Sequence, residues 1–167
     1  SDERLAARGG AAGSLGRLGL VVAPGYTLSK LLWGQRHHPD LFARAAHLLL
    51  PHDYLNHWLT GRACSEPGDA SGTGYYDVRK RTWAAEVLAL IEPGKRLLAA
   101  LPELVESGDC IATLQPSAAR ALGLDTGAWV ASGGGDNMLG AIGTGNIRPG
   151  MITLSLGTSG TLAAHLD

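Results

Sequence analysis

A carboxylate and an amide, Asp136 and Asn137, follow directly on three glycines, Gly133–Gly135. The apolar residues 128–131 before them and the small and apolar residues 138–143 after them predict a strand, a turn and then a helix. In open α/β folds, ligands lie beyond the carboxyl ends of strands, where strand gives way to helix. A carboxylate at the start of a helix stays ionised, because the helix dipole and the free N–H groups favour negative charge. Asp136 is therefore a candidate general base for the proton of a substrate hydroxyl, as phosphoryl transfer requires.

Asp136 also has a purely structural interpretation, in which its side chain only caps the helix that follows. An aspartate in this position, taken alone, is more often a cap than a base. The three glycines before it favour the catalytic interpretation, since capping needs no clearance, whereas glycines let a substrate approach the backbone closely. We therefore predict that Asp136 is the catalytic base.

A second segment rich in glycine and hydroxyl side chains, Gly157–Gly160, lies between apolar stretches that predict strands at Met151–Leu156 and Thr161–Ala164. A tight hairpin here presents several backbone N–H groups, with the hydroxyls of Thr158 and Ser159, toward one point and would form a phosphate cradle. A plain hairpin turn is the alternative, because Gly, Ser and Thr all favour turns. The segment has neither the Walker A lysine pattern nor a GxGxxG, so it does not indicate those nucleotide-binding folds.

Helices are predicted earlier in the chain from apolar spacing, with prolines near several starts and glycines after several ends. The predicted helices cover residues 27–33, 39–48, 51–60, 83–91 and 116–122. Gly61 and Gly123 are placed to end two of them. The stretch Cys64–Tyr76 is rich in turn-forming residues and predicts a loop.

The histidines do not predict a metal site. Neighbours on a helix point about 100° apart, so His37 and His38 are poorly placed to chelate one ion. Three others are spaced by five residues, which suits no common helical chelate: His47, His52 and His57. The basic run Arg79–Arg81 is predicted to be a solvated surface patch. The tryptophans are predicted to pack in the core: Trp33, Trp58, Trp83 and Trp129. For Trp129, which precedes the glycines, shaping a substrate site is the alternative.

Composition excludes several classes of function. The chain has 167 residues, enough for one domain or one domain and a piece of a second. A net charge of -1 gives no electrostatic reason to expect nucleic acid or an anionic membrane as a partner. No apolar run approaches the roughly 18 to 20 residues of a membrane span. Two cysteines are too few for a disulfide framework, which predicts a reduced, cytoplasmic protein.

Separated segments of the chain resemble, in order, the FGGY family of carbohydrate kinases. They are Gly25–Trp33, Leu50–Leu55, Leu59–Gly61, Asp69–Thr73, Gly133–Asn137 and Leu154–Gly160. The combination is specific, although each segment alone is weak, and the resemblance covers the chain from about Gly19.

The resemblance implies an α/β protein of the actin-like, ribonuclease H-like ATPase fold, with ATP and Mg²⁺ in the cleft between two domains. It implies that Asp136 deprotonates a sugar hydroxyl while that oxygen attacks the γ-phosphate, and that Asp136 and Asn137 bind the sugar. The residues that would bind the phosphates of ATP are Gly157, Thr158, Ser159 and Gly160. No metal ligand within the chain is implied.

The substrate implied by the resemblance is a ketopentose, D-xylulose. The motif GGGDN with LSLGTSG resembles family members that act on this sugar, whereas those acting on glycerol usually place Gln where Asn137 stands. Gluconate, ribulose, fuculose and glycerol remain alternatives within the family. A non-catalytic actin-like sugar-binding domain and a dimerising structural domain are alternatives of other classes, and family members are often homodimers.

The resemblance also implies that the chain is one part of a larger enzyme. Residues 1–145 would be the later part of the N-terminal domain, and residues 146–167 would begin the C-terminal domain with its phosphate hairpin. The family's first phosphate hairpin, Asp-x-Gly-Thr/Ser, and most of the C-terminal domain are not in the sequence. We therefore expect this chain alone to be inactive.

Overall fold

The computed structural model describes residues 13, 16, 18–19, 21–157 and 160–165. Short helices and two-stranded sheets alternate along this part of the chain. The helices are α1 (Thr27–His37), α2 (Pro39–Arg44), α3 (Pro51–Thr60), α4 (Pro67–Ala70), α5 (Ala85–Leu88), α6 (Arg96–Ala100), α7 (Pro116–Leu122) and α8 (Asp136–Gly143).

The strands pair in four separate two-stranded sheets. They are β1 (Cys64–Ser65), β2 (Tyr76–Asp77), β3 (Thr82–Trp83), β4 (Glu103–Leu104), β5 (Cys110–Thr113), β6 (Trp129–Ala131), β7 (Ile152–Leu156) and β8 (Gly160–Ala164). The β1–β4 pair is parallel, and the β2–β3, β5–β6 and β7–β8 pairs are antiparallel. Strands of two to five residues make these sheets small, so helices and loops supply most of the packing.

The main core forms where α1 packs on α5 and α6. Leu28 and Leu88 are each 1% exposed, and burying a leucine side chain stabilises the fold by about 1.5 to 3 kcal/mol. The buried members of this cluster are Leu18, Leu28, Leu31, Tyr75, Ala84, Val87, Leu88, Ile91 and Leu97. A smaller cluster of Leu114, Ala118 and Ala119 joins α7 to α3 and β6.

Two of the predicted helices have the expected ends. The helix α3 ends at Gly61, which has φ 80° and donates its N–H to the carbonyl of His57 at 2.7 Å. Likewise, α7 ends at Gly123, with φ 68°. Both glycines adopt the left-handed conformation that other residues avoid, so these two helix ends could be predicted from residue type alone.

Other predicted elements were wrong in extent or type. The helix expected at 39–48 ends at Arg44, because the next residue is extended and Leu48 donates its N–H to the carbonyl of Ala100. The helix expected at 83–91 shortens to α5, since Trp83 pairs with Tyr76 in the β2–β3 sheet. The stretch expected to be a loop contains β1 and the short helix α4.

Most of the tryptophans are not core residues. Trp33, Trp58 and Trp129 are 57%, 40% and 75% exposed. Trp83 is half-buried, contacts the rings of Tyr75 and Tyr76, and donates its indole N–H to the carbonyl of Pro102 at 2.9 Å. The prediction of core packing therefore fails for three of the four.

The last hairpin, β7–β8, exposes apolar side chains on one face, because Leu162 pairs with Leu154 and alternate residues of β7 point the same way. Four of its residues are at least 59% exposed: Ile152, Leu154, Leu156 and Leu162. The hairpin contacts the rest of the chain through polar groups near α8, including the Nδ2 of Asn146, which donates to the carbonyl of Ala163 at 3.1 Å. Within the described residues, no helix is long and apolar enough to cross a membrane.

Candidate functional site

The predicted base lies at the surface, where β6 gives way to α8. Asp136 is the first residue of α8, and its side chain is exposed. The helix cap is Gly135, not Asp136, and the Oδ1 of Asp136 accepts only the adjacent N–H of Asn137, at 2.7 Å, among the hydrogen bonds of the described residues. The carboxylate therefore points away from packed protein, and capping in the usual sense is not its role.

The space beside the three glycines before Asp136 differs from one glycine to the next. Gly133 has φ 72°, and a Cβ there would lie 2.8 Å from the Nε2 of His52. A Cβ added at Gly134 would lie 3.3 Å from the Leu139 side chain. Gly135 is buried, and a Cβ added there would lie 3.6 Å from the Cα of Asp69. His52 therefore excludes a side chain at Gly133, so the turn itself requires glycine there, whereas substrate clearance at these glycines stays a prediction.

The helix α3 holds the start of this turn. The Nδ2 of Asn56 donates to the carbonyl oxygen of Ser132 at 2.7 Å, and the Nε2 of His52 also hydrogen-bonds that oxygen. Ser132 is 1% exposed, and its hydroxyl accepts the N–H of Gly108 at 2.8 Å. Two side chains one helical turn apart on α3 therefore fix the carbonyl four residues before Asp136.

A buried carboxylate holds the end of the turn. Glu66 is 1% exposed, and its Oε1 accepts the N–H of Asp69 at 2.5 Å and that of Gly135 at 3.3 Å. Its Oε2 accepts the N–H of Gly68 at 2.8 Å and the hydroxyl of Ser107 at 2.5 Å. Burial acts to raise the pKa of Glu66, but these hydrogen bonds together hold it below its ordinary value.

Two more carboxylates lie around His52 beneath the turn. The Nδ1 of His52 is 3.4 Å from the Oδ1 of Asp53 and 3.4 Å from the Oδ2 of Asp69. Asp53 is 1% exposed; its Oδ2 accepts the N–H of Leu50 at 3.0 Å, whereas its Oδ1 has no hydrogen-bond partner among the described residues. Burial is the main cause that raises the pKa of both aspartates; for Asp69, the nearby His52 opposes the rise, and the charges of Glu66 and Asp136 add to it.

The predicted phosphate segment is described only in part. Thr158 and Ser159 lie outside the described residues, whereas Gly157 and Gly160 flank them at the end of the β7–β8 hairpin. The Oγ1 of Thr161 lies 3.4 Å from the Oδ1 of Asn137. Thr161, which follows the phosphate segment, therefore contacts Asn137, which follows Asp136. The structure thus brings the two predicted segments together.

An open hollow lies elsewhere on the described part of the chain. It has a volume of about 510 Å³ and is lined by His47, Leu49, Leu50, Pro51, Tyr54 and His57. None of these residues belongs to either predicted segment.

Sequence reasoning missed the residues that support the turn, His52, Asn56 and Glu66. One signal was available, because His52 and Asn56 are four residues apart and so share a face of a predicted helix. Glu66 gave no such signal: its partners are as far away as Ser107 and Gly135, and only the folded chain brings them together.

Comparisons with known proteins agree on one family. The model of the N-terminal domain of the FGGY family of carbohydrate kinases matches residues 3–143. The xylulose kinase of Haemophilus influenzae is 49% identical over 157 residues, which are 94% of this chain and 32% of that protein.

Solved structures extend the similarity to the fold. The xylulose kinase from Rhodospirillum rubrum superposes with a TM-score of 0.86 at 29% identity, over 96% of this chain and 32% of that one. The gluconate kinase from Lactobacillus acidophilus superposes with a TM-score of 0.83 at 26% identity, again over 96% of this chain and 32% of that one. The chain thus spans about a third of the length of these relatives.

Proposed function

The chain belongs to the FGGY family of carbohydrate kinases, and on that premise we propose that the full-length protein transfers the γ-phosphate of ATP to D-xylulose. Its fold is part of the actin-like ATPase fold of this family, as the sequence predicted. The product would be D-xylulose 5-phosphate.

One observation carries the proposal: an exposed carboxylate at the start of α8 stands beside the glycine-rich hairpin. Asp136 is free of packed protein, and Asn137 next to it contacts Thr161 at 3.4 Å. A base and a phosphate-binding loop must lie this close, because the sugar oxygen gives up its proton as it attacks the phosphorus.

The roles of this chain's own residues follow from that arrangement. Asp136 would accept the proton of the attacking hydroxyl, and Asn137 would hold a neighbouring sugar hydroxyl through its amide. Gly157, Thr158, Ser159 and Gly160 would hold the phosphates with backbone N–H groups and hydroxyls. Positioning and charge neutralisation supply most of the rate in such reactions, so the fixed turn before Asp136 is part of the machinery.

Mg²⁺ enters with ATP as a partner of the phosphates, whose charge it neutralises. It prefers oxygen ligands and keeps several waters, which the phosphates and solvent supply. We assign no metal ligand within the chain, where Asp136 serves as the base.

The choice of sugar depends on the relatives. The similarity to a xylulose kinase at 49% identity favours D-xylulose. Structural similarity alone does not select it, since the gluconate kinase superposes nearly as well as a xylulose kinase does. Gluconate, ribulose, fuculose and glycerol are therefore the substrates to compare.

We further propose that the 167 residues alone are inactive, because they span about a third of the relatives. A domain boundary near residue 145 is supported by the family match, which ends at residue 143. A cytoplasmic location is consistent with the two cysteines, which are both free. A homodimer is the assembly that we expect from the family resemblance.

The test is a coupled assay of ADP formation by the full-length protein with a panel of sugars, followed by mass spectrometry of the product. We expect the largest kcat/KM with D-xylulose and a mass increase of one phosphoryl group. Equal turnover of glycerol and D-xylulose would remove the substrate assignment. No phosphorylation of any sugar would remove the kinase assignment and favour a non-catalytic sugar-binding domain.

A further inference from the structure

The imidazole of His52 connects a buried acidic site to the turn that carries Asp136. On one side its Nε2 hydrogen-bonds the carbonyl oxygen of Ser132, and on the other its Nδ1 lies 3.4 Å from a carboxylate oxygen of Asp53 and of Asp69. The ring thus bridges the first turn of α3, the helix α4 and the loop after β6.

The groups around the His52 ring indicate which of its two nitrogens carries a hydrogen. A carbonyl oxygen only accepts, so the bond to Ser132 requires a hydrogen on the Nε2 of His52. The Nδ2 of Asn56 lies 3.3 Å from the same nitrogen but donates to the Ser132 carbonyl at the shorter distance of 2.7 Å. The carboxylates of Asp53 and Asp69 lie 3.4 Å from Nδ1 at the other edge of the ring, where Nδ1 has no hydrogen-bond partner among the described residues. The ring thus presents Nε2–H to the turn and its other edge to the two carboxylates.

The turn lies directly against the ring of His52 and against Asp69. Gly133, the next residue, has φ 72°, and a Cβ on it would lie 2.8 Å from the same Nε2, so ring and backbone are in close contact. At the far end of the turn, Gly135 is buried and packs against the backbone of Asp69. Asp69 therefore contacts both the ring that holds the start of the turn and the glycine that precedes the base.

We propose that His52 is a positioning residue for phosphoryl transfer: together with the Nδ2 of Asn56, its Nε2–H fixes the Ser132 carbonyl and thereby the direction in which α8 presents Asp136. The proposal rests on the proposed kinase function. His52 itself touches neither sugar nor nucleotide in this role. Its loss should therefore lower kcat, which depends on the placement of the base, and leave the KM for ATP nearly unchanged.

Two amide variants of the full-length protein separate the contributions of the ring nitrogens. In His52→Gln the side-chain NH₂ can occupy the place of Nε2, whereas in His52→Asn it reaches only about as far as Nδ1. We expect His52→Asn to lower kcat by about 10- to 100-fold, since a displacement of about 1 Å can cost that much. We expect His52→Gln to restore kcat to within about fivefold of wild type, with the KM for ATP within twofold in both.

The outcomes are distinguishable. If the wild-type protein phosphorylates no sugar, the proposed function fails and His52 has no reaction to assist. If the wild type is active and His52→Asn keeps its kcat, or His52→Gln loses as much as His52→Asn, the positioning role is wrong. Thermal melting shows whether either variant is merely unfolded; equal melting temperatures with unequal kcat values support positioning.

Metal binding is the competing explanation for the same groups. Ligand atoms of His52, Asp53 and Asp69 all lie within 4.8 Å of one another, close enough to surround one ion. Zn²⁺ added without nucleotide should leave the melting temperature of the wild type unchanged. A rise with Zn²⁺ in the wild type that is absent in His52→Asn would assign these side chains to a metal and overturn the proposal.

Discussion

Replacing Glu66 with glutamine should destabilise the turn before Asp136 more than any change of one charge at the surface. The carboxylate of Glu66 accepts four hydrogen bonds, from the N–H groups of Gly68, Asp69 and Gly135 and from the hydroxyl of Ser107. Glutamine keeps one acceptor oxygen and turns an NH₂ toward donors, so about two of the four bonds are lost.

The magnitude follows from burial and charge. Hydrogen bonds to a charged group contribute about 1.5 to 3 kcal/mol each, and Glu66 is only 1% exposed. The glutamine can rotate so that its oxygen keeps the two stronger hydrogen bonds and the weaker two are lost. We therefore expect Glu66→Gln to lower the free energy of unfolding by about 2 to 4 kcal/mol at pH 7. The matched control is Glu103→Gln: Glu103 is 64% exposed and pairs with Arg62 at 2.7 Å, so about 0 to 1 kcal/mol is expected.

The pH dependence gives an independent check with a defined sign. The pKa of Glu66 is lowered in the folded state, so its carboxylate contributes full stability above the ordinary value of 4.5. That contribution is lost as the pH falls through the lowered pKa. The difference between wild type and Glu66→Gln should therefore be constant from pH 7 to 4.5 and shrink at lower pH.

Urea unfolding of the full-length protein, followed by both fluorescence and circular dichroism, measures this difference. Coincident transitions are needed, because a multidomain protein can unfold in steps. If Glu66→Gln is as stable as Glu103→Gln at pH 7, or if the difference grows below pH 4.5, Glu66 is not the ionised anchor of the turn.

Two further stability predictions use matched pairs. Gly133→Ala should lower the free energy of unfolding by about 1 to 3 kcal/mol, because alanine is strained at φ 72° and its Cβ would lie 2.8 Å from the ring of His52. Its control is Gly140→Ala inside α8: a Cβ there meets nothing within 4 Å, so the change should be neutral or stabilise by up to about 1 kcal/mol. Leu28→Ala should cost about 2 to 5 kcal/mol, because Leu28 is 1% exposed in the main core, whereas Leu124→Ala at 56% exposure should stay within about 0.5 kcal/mol. Urea unfolding checks both pairs, and a reversed order within either one would contradict the assigned packing.

The order of elements around the site could be predicted from local residue types. Three glycines before Asp136, apolar residues before them and small residues after them predict a strand, a turn and a helix, and β6 and α8 lie there. Gly61 and Gly123 likewise end their helices in the left-handed conformation. These features depend on a few neighbouring residues, so a single sequence is enough to predict them.

What failed depends on partners distant in the sequence. The helix expected at 83–91 was wrong because Trp83 pairs with Tyr76 in a sheet, and local apolar spacing cannot show that pairing. The residue that excludes a side chain at Gly133 is His52, 81 residues earlier, and the residue types next to Gly133 gave no sign of this contact. Trp129 was expected to pack, yet it is 75% exposed, since the described part of the chain offers nothing that covers it.

The exchange of Asp136 for asparagine in the full-length protein tests the proposed chemistry most directly. General base catalysis is worth about 10²- to 10⁴-fold, so kcat with D-xylulose should fall by that much while calorimetry still detects sugar binding. Asp40→Asn is the control, because Asp40 is also exposed in the first turn of a helix, and it should retain kcat within about twofold. An Asp136→Asn protein that phosphorylates D-xylulose at the wild-type rate would contradict the assignment of Asp136 as the base.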